Sequence, residues 1–343
     1  MTGYFARRLL LLIPTFLGIT FLVFTITRFV PGGPVDQIIL QTQAAAAEGG
    51  AVGGGGIESS VEIPQEVLDQ LNAQFGFDKP FYLAYLHWLG DVLTGDLGKS
   101  FKFNQPVIDI IVSRFPVSIY FGGIGFLLAY SVCIPLGIAK AVRHSSTFDI
   151  TSSALVFVGY SIPGWALGAV LLVMFGGGSF FDFFPLGGFR SDNWSDLSIV
   201  GKILDQVHHT VLPVIAYAVG SFARLTVLMK NSLMENLGQD YVRTAFAKGL
   251  PERRVIMWHA LRNSLIPIST GLGHVLGLVM AGSYLIEFVF NIDGVGYLGY
   301  TSIIDRDYAV VMGILVINTA LILLGNILSD VLYVLVDPRI RFT

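Results

Sequence analysis

The chain has 343 residues, of which 53% are hydrophobic and only 13% charged, with a mean hydropathy of +0.69. A soluble domain carries about 25% charged residues, so this composition excludes an ordinary soluble enzyme or binding module and points to a chain solvated largely by lipid. The formal net charge of -3 hides an uneven placement of basic groups and gives no reason to expect a nucleic-acid partner.

A helix crossing a bilayer needs about 20 mainly apolar residues, because each adds about 1.5 Å across a hydrocarbon layer about 30 Å thick. Six runs qualify, extending approximately from Leu9 to Val30, Phe115 to Ala139, Ile150 to Phe175, Thr210 to Met229, Ile268 to Phe290, and Ala309 to Val336. They do not alternate apolar with polar residues as barrel strands would. The expected fold is therefore an all-α membrane protein with six transmembrane helices.

The first run, within residues 1–30, follows Arg7 and Arg8, as the core of a signal peptide would. It is longer than such a core and continues into "RFVPGGPVDQ" without a small-x-small site, so a retained helix is expected.

Residues 31–114 form a large external loop. Its "QTQAAAAEGGAVGGGG" stretch is a flexible Gly/Ala-rich insert, with too little side-chain surface to offset the entropy of ordering. Helical spacing at Val67, Leu71 and Phe75, and again at Tyr82, Tyr85, Leu86 and Leu89, predicts a small helical cap. The remaining residues, 115–343, form a five-helix core. Within it, "SFFDFFPLGGF" suggests an aromatic segment at the outer interface.

With the N-terminus inside, the inner segments hold twelve Lys and Arg residues and the outer segments seven, while Arg28 and Arg224 lie within runs. The positive-inside bias places both termini in the cytoplasm. Acidic residues such as Glu58, Glu62, Glu66 and Asp69 lean outward. The one cysteine, Cys133, lies in the second run and has no intrachain disulfide partner.

The cytoplasmic loop 230–267 contains "DYVRTAFAKGLPERRVIMWHALRNSLIP". At 100° per residue, Val242, Ala245, Phe246 and Gly249 share one face, while Arg243, Thr244 and Lys248 point away. Gly249 supplies a helix stop and Pro251 a new start, with Glu252 in the first turn. The residues alone fit either a finger that binds a partner or a pair of helices resting on membrane lipid.

The segment "YVRTAFAKGL...RRV...HALRNSLIP" resembles the cytoplasmic loop of membrane subunits of binding-protein-dependent ABC importers, in the dipeptide and oligopeptide branch. The resemblance covers nearly the whole chain, through "RRLLLLIPTFLGITFLVF", "PGGPVD", "FGFDKP", "GDLGKSF", "YSIPGW" and "DPRIR". The Gly-rich insert and the outer aromatic segment look most like the permease of microcin-C-type peptide importers. The positions where the general family motif begins Glu-Ala-Ala read Arg243, Thr244, Ala245 here, and the distance from Gly249 to Pro267 exceeds the general spacing; both departures agree with the peptide branch.

The resemblance implies the six-helix architecture of type I ABC importer permeases, in a bacterial inner membrane. It further implies a second homologous permease, one or two ATPase subunits that bind ATP and Mg, an external solute-binding protein and a peptide substrate. The loop would be a coupling helix docking on the ATPase through Tyr241, Arg243, Thr244, Ala245, Ala247, Lys248 and Gly249. No cofactor is expected in this chain, which has no GxxxxGK[ST] run to cradle nucleotide phosphates.

Carboxylates at mid-span would mark an ion-coupled carrier. The charged groups instead fall toward run ends, with Arg28 and Glu287 near the outer side and Arg224 and Asp330 near the inner. Uncharged polar and bend-forming residues suggest a wide path: Tyr160, Ser161, Pro163 and Gly164, then Ser269, Thr270, His274, Ser283 and Tyr284, then Asn318. For any one of these taken singly, ordinary helix packing is the better explanation.

His208 and His209 would point about 100° apart on a helix and do not chelate one ion together. "DRD" at Asp305 to Asp307 reads as a solvated outer loop, and the serines show no arranged His and Asp partners. A stand-alone secondary carrier is the alternative function, and an intramembrane hydrolase is the enzymatic one, without a dyad to support it.

Overall fold

The computed structural model describes residues 2–29, 79–177, 180–273 and 282–336, and every named element among them is helical. In chain order these are α1 (Thr2–Phe29), α2 (Phe81–Thr94), α3 (Val107–Val142), α4 (Thr147–Ser161), α5 (Gly164–Phe175) and α6 (Ile199–Leu237). There follow α7 (Asp240–Ala247), α8 (Glu252–Arg254), a π-helical turn (Val255–Ala260), α9 (Leu261–Ser264), α10 (Ile266–Gly273), α11 (Tyr284–Val289), α12 (Val295–Ile304) and α13 (Tyr308–Val336).

Four helices are long and apolar enough to cross a membrane, through Arg7–Phe29, Val107–Val142, Ile199–Leu237 and Tyr308–Val331, and α4 with α5 makes a fifth if the bent pair counts as one span. They coincide with the first, second, fourth and sixth apolar runs. The fifth run is described only at its ends, in α10 and α11. The Gly/Ala-rich insert, the cap residues Val67, Leu71 and Phe75, and His274 lie outside the described residues.

The third run is not one bent rod but two helices meeting at 91°. Pro163 has no backbone N–H to continue α4, and the preceding Ile162 is extended at φ -101 and ψ 120. Gly164 then lets α5 lie directly on α6, since a Cβ there would sit 2.4 Å from the Ala216 carbonyl oxygen. One turn on, a Cβ at Gly168 would sit 2.8 Å from the Phe290 ring and 3.2 Å from the Ala216 Cβ. Small residues four apart let helices approach closely where lipid gives no hydrophobic drive between them.

The chain divides into two compact units. The first comprises Met1–Leu9, Arg114–Leu298 and Ala320–Thr343. One core gathers Phe121, Leu212, Val214, Ala216, Ile286, Phe290 and Ile292. A second core gathers Ala141, Met229, Leu233, Val242, Ala245, Val255, Ile256, Ala260 and Ile268. Arg8 pairs with Asp330 at 2.5 Å.

The second unit comprises Leu10–Ser113 and Gly299–Thr319. Here α2 packs along α1, with Phe81, Tyr85 and Trp88 set against the Phe24 ring at 5.4–5.6 Å between centroids. The buried stripe is therefore shifted from the expected one: Ala84, Leu89 and Val92 are buried, whereas Tyr82 and Leu86 are exposed. The aromatic contacts with α1 choose the face, and local spacing alone does not report them.

Asp307 also departs from the solvated loop expected of "DRD". It is buried, accepts from the Ser100 hydroxyl at 2.5 Å and the Lys102 amide at 3.3 Å, and receives the Val310 amide at 3.4 Å at the start of α13. Asp305 stays at the surface, 2.5 Å from the Lys102 ammonium.

Candidate functional site

The loop between α6 and α10 folds as a bent helical finger. Its first arm, α7, ends in a Schellman cap: the Gly249 amide donates to the Phe246 carbonyl at 2.9 Å and the Leu250 amide to the Ala245 carbonyl at 3.4 Å. Gly249 holds φ +77, a left-handed conformation that favours glycine, with nothing within 4 Å of where its Cβ would stand. Pro251 caps the second arm and Glu252 occupies its first turn. Both breaks fall where Gly249 and Pro251 predict them.

Val242 and Ala245 sink into the second core beside Met229 and Leu233. Two side-chain clasps hold the finger to the end of α6. Ser232 donates to the Ser264 carbonyl at 2.9 Å while the Ser264 hydroxyl lies 3.3 Å from the Ser232 carbonyl. The Tyr241 hydroxyl donates to Asn236 Oδ1 at 2.8 Å and accepts from the Asn263 amide at 3.1 Å.

The exposed side of α7 carries Tyr241, Arg243, Thr244, Phe246, Ala247 and Lys248, with Gly249 at its tip. Ala245 is not on this side; it faces the chain's own core. Phe246, placed by helical angle on the apolar face, is 45% exposed. Eight residues make little more than two turns, and only the positions three apart, Val242 and Ala245, reach the core.

Just before the finger, Lys230 donates to both carboxylate oxygens of Asp149 at 2.8 and 2.7 Å. Lys140 of α3 reaches the Asp149 carbonyl at 3.0 Å, the Ser152 and Ser153 hydroxyls at 2.9 and 2.7 Å, and Asp149 Oδ1 at 3.3 Å. Asp149 also accepts the Ser145 amide at 3.2 Å, so a buried carboxylate joins the C-terminal end of α3, the start of α4 and the C-terminal part of α6. A buried charge survives only when paired and hydrogen-bonded. Lys230 and Asp149 stand 81 residues apart, so the cluster leaves no local signal in the sequence.

The path candidates are scattered. Tyr160, Ser161 and Pro163 are exposed around the α4–α5 corner. Ser283 and Tyr284 open α11, where the Ser283 amide donates to the Tyr217 hydroxyl at 3.0 Å. Asn318 lies in the second unit, with its Oδ1 buried and without a hydrogen-bond partner among the described residues. Arg224 is exposed on α6.

Glu287, expected near an outer run end, is wholly buried. It accepts from the Ser118 hydroxyl at 3.0 Å, the Tyr217 hydroxyl at 3.1 Å, the Tyr297 amide at 2.8 Å and the Ser283 amide at 3.4 Å. Gly282, Gly294 and Gly296 crowd it so closely that a Cβ at any of them would fall within 3.0 Å of a carboxylate oxygen. The glycines clustered around "EFVFNIDGVG" are the visible trace of this cage, but its hydroxyl donors come from distant helices.

Ser191 does come together with Asp205 and His209 of α6. The Ser191 hydroxyl is 2.5 Å from Asp205 Oδ1 and 3.1 Å from His209 Nε2, while His209 Nδ1 faces the Gly187 and Gly188 carbonyls at 3.1 and 3.3 Å. The imidazole Nδ1 faces backbone carbonyls, which turns Nε2 toward Ser191, and Asp205 holds the serine hydroxyl from the other side; together these contacts pin the 187–191 loop to α6.

Comparison with known proteins decides the family. The family described as binding-protein-dependent transport system inner membrane component matches residues 133–342. This chain belongs to that family. Over its whole length the permease is 41% identical to a peptidoglycan transport system permease, YejB, of Agrobacterium fabrum, covering 99% of that protein. It is 37% identical to the dipeptide transport system permease DppB of Escherichia coli, with 99% of each chain covered, and 33% identical to the oligopeptide transport system permease AppB of Bacillus subtilis, with 100% of each covered. The matched region contains the whole finger, the Asp149 cluster and the Glu287 cage apart from Ser118.

Proposed function

We propose that the permease is one of two homologous membrane subunits of an ATP-driven importer for oligopeptides or peptide-like solutes. It crosses the inner membrane six times with both termini in the cytoplasm, and α7 is the coupling helix that docks on a separate ATPase subunit. ATP and Mg are held by that subunit. An external solute-binding protein delivers the cargo.

One observation carries the reading. The exposed side of α7, with Arg243, Thr244, Ala247 and Lys248, stands on a base whose opposite side, Val242 and Ala245, is built into the same core as Met229, Leu233 and Ile268. A push on α7 therefore moves the inner ends of α6 and α10, because a packed core transmits displacement and does not absorb it. Small Ala and Gly residues admit close approach, and the basic groups suit carboxylates on a partner.

Purification in mild detergent, with mass identification of what remains bound, tests this. An ATPase and a second permease are expected to accompany the chain, and the Lys248→Glu variant is expected to lose the ATPase while keeping the second permease. A fully active transporter isolated as this chain alone would favour the stand-alone carrier instead.

A further inference from the structure

The second arm of the finger presents a surface that the coupling role does not use. In the π-helical turn, Val255, Ile256 and Ala260 are buried, whereas Trp258 is 73% exposed and Met257 47% exposed. Arg254 and Arg262 lie four residues to either side of Trp258, on the same side of the helix, and both are exposed. Among the described residues, Arg254, Arg262 and Trp258 make no side-chain hydrogen bond, ion pair or ring contact with the chain. An indole flanked by two free guanidinium groups is thus turned outward.

Its depth follows from the buried side. Val255, Ile256 and Ala260 share one core with Ala141, Met229 and Ile268. Met229 closes one apolar run, Ile268 opens the next, and Ala141 stands two residues past the end of another. The turn therefore packs where hydrocarbon gives way to headgroups, the level at which Trp side chains settle and arginine stems reach toward phosphate.

We propose that Arg254, Trp258 and Arg262 form a docking surface for anionic phospholipid headgroups of the leaflet beside the finger. Trp258 sits among the upper acyl carbons and the two arginines hold headgroup phosphates, which steadies the second arm while α7 moves. The charge is complementary: two cations frame the indole, and anionic headgroups attract such groups over about a Debye length. The proposal rests on the reading above in naming the cytoplasmic leaflet and the movement of α7, not in the lipid contact itself.

The test uses the full chain in nanodiscs of phosphatidylcholine, doped with either phosphatidylglycerol or more phosphatidylcholine bearing a headgroup nitroxide. The Trp258 signal is the difference in fluorescence between the native chain and Trp258→Phe. Nitroxide lipid is expected to quench it, and the phosphatidylglycerol carrier to do so at lower doping. Arg254→Gln or Arg262→Gln should each reduce that preference by about fivefold, while size-exclusion elution stays unchanged.

Absence of quenching would overturn the proposal, as would equal quenching by both lipids with no effect of the arginine variants. Shielding of Trp258 from aqueous iodide by added ATPase, without lipid quenching, would assign the surface to that protein and also overturn it. Because nanodiscs expose both leaflets, a failure of the coupling reading leaves this outcome unchanged.

Discussion

Lys230 holds Asp149 with bonds of 2.8 and 2.7 Å to its two carboxylate oxygens, across 81 residues of sequence. The pair ties the start of α4 to the part of α6 that leads directly into the finger. The Asp149 cluster thus links α4, which ends at the exposed Tyr160 and Ser161, to the helix leading into the finger, and under the proposed coupling role it would carry movement of α7 toward that corner.

Asp149→Asn removes the charge that neutralises two lysines, one of them buried. Breaking a buried pair in this way costs about 3–5 kcal/mol, and the detergent-solubilised chain is expected to lose folded signal at a clearly lower temperature by fluorescence-detected size exclusion. Replacing the set together, as Asp149→Leu with Lys230→Met and Lys140→Met, should recover part of the loss. Equal melting of Asp149→Asn and the native chain would show that the pair carries no stability.

Gly249 offers a way to separate strain from docking. Gly249→Ala and Gly249→Trp impose the same left-handed conformation on an L-residue, at about 1–2 kcal/mol, and neither side chain meets the chain itself at its Cβ. Both variants are expected to insert. Only the indole obstructs a partner, so uptake should survive in the alanine variant and vanish in the tryptophan variant. Uptake by both would remove the tip of α7 from the coupling surface.

All four donors to Glu287 point hydrogens at its oxygens. In Glu287→Gln an amide NH2 must face one of them, an unsatisfied contact worth about 1–3 kcal/mol. Gly294→Ala should act similarly, because its Cβ would stand 2.5 Å from the Glu287 carboxylate and 2.6 Å from Ser118. Gly90→Ala, in open space on α2, should instead be neutral or stabilising by up to about 1 kcal/mol. Thermal unfolding of the three variants in one detergent compares them directly.

The fold is most legible in the sequence where one residue type dictates local backbone. Pro163 marked the break in the third run, though its 91° angle depends on α5 seating on Ala216. Gly249 and Pro251 marked the joints of the finger. The apolar runs mark four helices directly. What escaped is long-range: the Asp149 cluster, the Glu287 cage, and the contact of Ser191 with Asp205 and His209. Side-chain direction on short helices escaped as well. Phe246 and Ala245 look alike on a helical wheel, but only Ala245 is covered by Leu233 and its neighbours. Asp307 appeared solvated because the Ser100 loop that covers it lies more than 200 residues earlier.

The central claim is that α7 receives work done elsewhere, and uptake of a labelled oligopeptide into sealed vesicles tests it most directly. Vesicles holding this chain with its second permease, the ATPase, external binding protein and internal ATP should accumulate peptide against its gradient, and lose that ability with Gly249→Trp. Vesicles holding this chain alone should not. Uphill accumulation by the chain alone would contradict the account.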